Sequence, residues 1–594
     1  MEDTRLCKAV VIHFDAKQDF GHHLLDIYQG INIELEYFLL GLMLYLGEVS
    51  DSVESPDLYM KDVFMIFRRI MEISIKKYNE KCISIVIEEN YVDRIYRSSY
   101  YSRYSYKHFN VGRQCLRLFI FIGDINTLNY YDDYSLEMCK TLEQRFVGFL
   151  VLTPNQGCTI SRSVFTPNFF VDELLVNTMI RIADYRCTMY GHRLSLQGFP
   201  YLKQDSDSIS CAEVTLLLIT DYYSQMYQEF SVAMPNDVLA LINRHDPQRI
   251  SPSHGVKYDT LSRVLKDQGF YPLLISTEEI HDNVQSRAKY ILHSYLDSCI
   301  PVAIHISNNE NQDSINHSVL CIGYGGKNLE NITSNIRIKS MVGIKSENKN
   351  NSINYIYIVE SSYLYDTYYV MDDNRLPYAK MKYEEREVPP YGFTRYTVSV
   401  LDDKEITNIV IPLNKRMSLK ASDALIIFTE FLSGQGGLTY QLCNCLDEQT
   451  QQKICQELKC QHIPGIKKEE PLIIRVFLTA NSTFKSKRAV DMCKDAARIY
   501  SEIPFPRFIW VCELYSRDSF QCNKVIGEII VDATSANVDR ERSIILCHYP
   551  YMMVYRFPDE SYYTGLWADK FNSPEGLRDW HVFTAFEFNH TAKE

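Results

Sequence analysis

Apolar side chains recur at three- and four-residue intervals over Met60–Tyr78, Pro235–Asn243, Tyr258–Gln268 and Ala421–Leu432, the spacing of helices with one buried face. Ile31–Leu46 reads as another helix. Its run YFLLGLMLYL at Tyr37–Leu46 falls far short of the ~20 apolar residues a membrane span needs, so a core position is expected. Shorter apolar runs closed off by turn residues predict strands at Lys8–Phe14, Phe146–Leu152, Tyr355–Val359, Tyr368–Asn374, around Val410, and at Ile473–Thr479, Phe508–Leu514 and Val525–Asp532. Asp184–Gln197 reads as a β-rich lead-in, and Trp580–Phe588 is apolar and aromatic enough to be buried. Between Lys327 and Asn354 the pattern lapses into Asn, Ser and Lys, which predicts a polar insertion carried on the surface. The mixture makes an α+β chain.

Two stretches carry chemistry. In QDSDSISCAEVTLLLI, Gln204–Ile219, Ser210 followed by Glu213 fits a reciprocal capping box, and Val214, Leu217, Leu218 and Tyr222 continue at helical spacing. Cys211 therefore falls in the first helical turn, where unpaired backbone N–H groups and the macrodipole favour a thiolate over a thiol. In PVAIHISNNENQDSINHSVLCIGYG, Pro301–Gly325, a buried strand and a polar loop lead into an alternating strand. That alternation sets His317, Val319 and Cys321 on one face and Ser318, Leu320 and Ile322 on the other, with His317 at the rim. Alone, each residue has an ordinary structural explanation, a small buried thiol and a satisfied histidine. Together they are the pairing that nucleophilic thiol chemistry uses.

With H-x-V-x-x-x-G-Y-G at His317–Gly325, the PVAIHI strand before it, and Q-x6-C-A at Gln204–Ala212, the chain resembles the papain-like cysteine proteases in the broad sense. Ser210 and Ala212 stand where that family commonly has Gly and Trp, which makes the chain similar to the divergent bacterial leader-peptide-processing peptidases. The resemblance spans roughly Gln197–Tyr383. It implies a core in which a Cys-bearing helix packs on an antiparallel sheet bearing His, over 171–400, between an N-terminal accessory domain at 1–170 and a C-terminal one at 401–594. It implies Cys211 as nucleophile, His317 as base and Gln204 as an oxyanion donor. The acid that orients His317 is expected at Asp372, with Asp373 and Glu360 as alternatives. No cofactor is implied. The expected activity is hydrolysis of a peptide, amide or isopeptide bond in a protein or peptide substrate. A transglutaminase-type acyltransferase and a non-catalytic scaffold are the rivals.

Composition narrows this further. A net charge of −13 argues against a general nucleic-acid binder, so the Tyr- and Arg-rich segment Tyr91–Arg117 is expected to be a solvated face over packed aromatic stems. The 17 cysteines are scattered and no secretory signal precedes them, which points to reduced thiols in the cytoplasm. Cys443, Cys445, Cys455, Cys460 and His462 form the one spacing that invites zinc, although Ile454 and Leu458 around Cys455 fit a helix face equally well. The accessory regions are left to bind a protein partner.

Overall fold

The structure is a computed structural model that describes residues 9–13, 42, 61–108, 110–155, 160–171, 178–205, 209–249, 255–276, 288–307, 317–330, 332, 338–342, 354–388, 393–398, 404–433, 471–491, 494–535, 540–549, 552–558 and 564–567. Within these, the periodic segments fold as their spacing predicts. Helix Lys61–Tyr78 buries Val63, Ile66, Phe67, Ile70, Met71 and Ile73 at three- and four-residue steps, and Phe146–Leu152 is a fully buried strand. The Tyr-rich segment forms helix Arg94–Ser102 and a short 3-10 turn at Tyr104–Tyr106, with Tyr96 and Tyr104 buried and Tyr101 and Tyr106 exposed. Among the described residues no helix is long and apolar enough to cross a membrane. Of Tyr37–Leu46 only Leu42 is described; it is helical and buried. The Cys443–His462 cluster and Trp580–Phe588 lie outside the described residues.

Three sheets organise the α+β architecture. The first has seven antiparallel strands from Val10–His13 to His192–Tyr201 and belongs to the N-terminal part. The second is central. Its elements in chain order are helix α1 (Cys211–Met226), helix α2 (Tyr258–Asp267) and strands β1 (Tyr271–Ser276), β2 (Val302–Ser307), β3 (His317–Lys327), β4 (Tyr365–Met371), β5 (Ala379–Val388), β6 (Phe393–Val398) and β7 (Lys404–Leu413). Strands β2 to β7 pair in sequence and all antiparallel, and β7 pairs back with β2, closing a six-stranded barrel onto which β1 adds along β7. The third sheet runs from Ile338–Val342 to Thr564–Trp567.

Sheet membership crosses residue 400 in both directions. Lys404–Leu413 closes the central barrel, while Ile338–Val342 and Asn354–Glu360 join the C-terminal sheet, the latter pairing in parallel with Leu472–Ala480. The stretch Lys327–Asn354, expected to be a polar surface insertion, thus contains a strand. Among the described residues Ile338–Val342 is the edge of its sheet, and edge strands tolerate the Lys and Ser that make the stretch look like loop.

The two faces of β3 divide the interior as its alternation predicts. Leu320 and Ile322 pack with α1 and the N-terminal sheet, whereas Val319 and Cys321 pack with the C-terminal helices and sheet. Gly323 of the G-Y-G run is required by packing, since a Cβ there would lie 2.3 Å from the Met179 carbonyl oxygen of the short strand Met179–Ile180, which pairs antiparallel with β3. On the C-terminal side Arg475 is buried between Asp297 and Glu513, joining helix Ala288–Asp297 to the third sheet.

Candidate active site

Helix α1 is buried on every side from Ala212 to Tyr223 and is therefore fixed in place by the core around it. Cys211 is its first residue and stays partly exposed. Glu213 closes one half of the capping box by accepting the Ser210 N–H at 2.5 Å; Ser210 Oγ makes no hydrogen bond in return. Arg249 pairs with the same Glu213 at 3.1 Å, with both side chains buried, so the acid in the first turn is neutralised beside the cysteine. Asp205 and Ile209, ahead of the helix, are tied to each other, and Asp205 to the N-terminal part. Asp205 accepts the Ile209 N–H at 2.8 Å and the Tyr104 hydroxyl at 2.6 Å, and Asn155 Nδ2 in turn donates to Tyr104 Oη at 3.1 Å.

His317 is the first residue of β3, antiparallel to β2. Its Nε2 lies 2.9 Å from Asp372 Oδ1 and 3.6 Å from Asp373 Oδ1, and the nearby Cys211 side chain helps to hold its proton. With Nε2 turned to the acids, Nδ1 is the nitrogen left for sulfur. Asp372 follows the last residue of β4, and its Oδ1 also accepts the Asn374 N–H at 2.9 Å. Gln204 Nε2 donates to Asn374 Oδ1 at 3.1 Å, so hydrogen bonds lead from Gln204 through Asn374 and Asp372 to His317, with Cys211 near the ring. Glu360 does not. It ends strand Asn354–Glu360 in the C-terminal sheet, opposite Ile474.

Electrostatics favour an imidazolium. Burial pulls the His317 pKa down, but the Asp372 hydrogen bond, the nearby Cys211 side chain and the two carboxylate charges outweigh it and raise it to about 10. Burial pushes Asp372 up, yet its bond to His317 leaves the carboxyl below its usual value. Asp373 goes the other way, raised to about 6 by burial and by the Asp372 charge against the pull of His317.

That last shift has a measurable sign. A carboxyl whose folded pKa exceeds its unfolded one costs stability as pH rises from about 4 to about 6, and the cost persists above that. Asp373→Asn is therefore expected to leave thermal unfolding nearly unchanged at pH 3 and to stabilise the protein at pH 8, by about 3 kcal/mol. Destabilisation at pH 8 would mean that the Asp373 charge is needed by His317.

His317, Asp372 and Asp373 also offer one nitrogen and two carboxylate oxygens within 4.8 Å, a donor set that a divalent cation accepts. The arrangements differ at Nε2, which needs a hydrogen for Asp372 and a lone pair for a metal.

The capping box and the H-x-V run place Cys211 and His317 from sequence alone. Missed there was His305 on β2, buried at 6 % exposure beside the centre. The signal was present, a single ionisable residue inside the apolar run PVAIHI.

No family model, no curated protein and no solved structure matches the chain.

Proposed function

We propose that the chain is a cysteine hydrolase with a papain-like core, cleaving a peptide, amide or isopeptide bond in a protein or peptide substrate. The observation that carries this is the grouping of a partly exposed thiol at a helix N-terminus, an imidazole whose proton it helps to hold, and a buried carboxylate bonded to that imidazole. A scaffold has no need to bury Asp372 against a histidine that lies near a partly exposed cysteine.

In this reading the Cys211 sulfur attacks the carbonyl carbon, and its electrons move onto the carbonyl oxygen. The Cys211 N–H faces that oxyanion, joined by Gln204, whose amide keeps one N–H after its bond to Asn374. His317 passes its Nδ1 proton to the departing amine, leaving a thioester on Cys211. Water then attacks the thioester, His317 takes a proton from it, and the carboxylate product and the thiol are released. Asp372 keeps Nε2 protonated and fixes the ring.

The reading is tested by incubating wild type and Cys211→Ala with a randomised peptide library and following products by mass spectrometry. Cleavage by wild type alone is expected, undiminished by a chelator, since the array works without an ion. Cleavage surviving in Cys211→Ala would defeat the reading, and loss with chelator would give the three-residue cluster to a metal. Incorporation of an added primary amine in place of water would mark an acyltransferase.

A further inference from the structure

The barrel face that α1 covers is apolar until its rim, where it changes character. One row inward the register aligns Leu320, Ala303, Val410 and Leu274 across β3, β2, β7 and β1. The next row outward aligns Ser318, His305, Asn408 and Ser276 on those strands, and cross-strand partners point the same way. The row begins beside the reactive centre. Thr215, one turn along α1 from Cys211, bonds the Cys211 carbonyl at 3.0 Å and lies 3.3 Å from Ser318 Oγ.

Two members of the row are unsatisfied. Among the described residues His305 Nε2 and Asn408 Oδ1 are buried without a hydrogen-bond partner, with their residues 6 % and 7 % exposed. A buried polar group normally has a partner, so a pair of unmet ones side by side asks what completes them. Tyr258, the first residue of α2 and 40 % exposed, sets its ring edge-on to His305 at 6.4 Å, so the row is roofed by a side chain that reaches solvent. Burial and the nearby His317 charge hold His305 down at about 4, so its imidazole is neutral and offers one donor and one acceptor. The Asn408 amide adds an acceptor. Neither group carries a charge to pair with an ionic ligand, and an aliphatic one would leave both unmet.

We propose that His305 and Asn408 form a specificity subsite that recognises an uncharged hydrogen-bonding side chain beside the scissile bond, a carboxamide such as Gln or Asn above all. The proposal rests on the hydrolase reading and adds the substrate class. The group enters over Tyr258, gives an N–H to Asn408 Oδ1 and completes His305 Nε2, while Ser318 lines the end nearest Cys211. A site built to hydrogen-bond its substrate discriminates strongly against analogues that cannot.

The test uses the full chain and acetylated peptides randomised at the two residues on each side of the cut bond. Wild type is expected to prefer Gln or Asn over Leu at one of these positions by about tenfold or more. In Asn408→Leu and in His305→Leu that preference should fall away or invert toward Leu. Peptides with Gly at the position have no side chain to read, so their unchanged cleavage reports that the Cys211 centre is intact in each variant. Cleavage with no carboxamide preference, or a preference that both variants retain, overturns the subsite alone. Failure to cut any peptide overturns the hydrolase reading and the subsite with it.

Discussion

Replacing His317 by Ala is expected to lower turnover by about three orders of magnitude, the range in which positioned acid–base groups act. The loss has two sources. The base beside the sulfur that takes and returns a proton is gone, and Asp372 loses the ring that it orients. The variant should also be less stable in a pH-dependent way. A histidine whose folded pKa is raised to about 10 contributes stability that is complete below about 6.5, its unfolded value, and is lost as pH rises through about 10. The gap between wild type and His317→Ala should therefore be wide at pH 7 and close toward pH 10 and above. Turnover that stays within tenfold of wild type in a folded variant would remove His317 from the chemistry.

Asp372 is expected to show the second largest effect, and two substitutions separate what it does. Asp372→Ala removes both the acceptor for His317 Nε2 and the acceptor for the Asn374 N–H that leads to Gln204, so the ring and the oxyanion donor lose their anchor together. A fall of about 10²-fold or somewhat more is expected, short of that in His317→Ala, since Asp372 acts through the ring. Asp372→Asn keeps an oxygen at that place but not the charge. Its turnover should lie between the two, and the alkaline limb of its pH–rate profile should move down from about 10, because the hydrogen bond to the carboxylate is what raises His317 most. An unshifted alkaline limb would transfer that role to Asp373, 3.6 Å away.

How much of this was readable beforehand depends on the range of each signal. Cys211 at a helix start and His317 at a strand start are local facts, fixed by Ser210, Glu213 and an alternation of six residues. The choice among Asp372, Asp373 and Glu360 is not local. It follows from β4 pairing with β3, Met371 opposite Leu320, and from Glu360 pairing in a different sheet, opposite Ile474. Those registers link residues about fifty to more than a hundred apart, and no spacing along the chain encodes them. Barrel closure by Lys404–Leu413 is equally long-range, since the strand looks the same whichever sheet it enters. Ile338–Val342 was hidden for another reason: an edge strand carries polar residues that composition alone assigns to loop. Strand His305 lay in plain view within PVAIHI, but its meaning needed the cross-strand row that Asn408 completes.

The central claim is that Cys211 and His317 act as one reactive pair, and the rate at which each thiol is alkylated tests it most directly. Wild type and His317→Ala are treated with limiting iodoacetamide near neutral pH and the modification of every cysteine is followed by mass spectrometry. Burial pushes the Cys187 and Cys321 thiols up to about 12 and raises Cys115 and Cys512 as well, so these should react slowly in both proteins. Cys522 is exposed and stands as the reference for mere access. The account predicts that Cys211 outpaces Cys522 in wild type although it is less exposed, and that its rate drops by about tenfold or more in His317→Ala while that of Cys522 holds. A Cys211 rate indifferent to His317, or one no faster than Cys522, would contradict it.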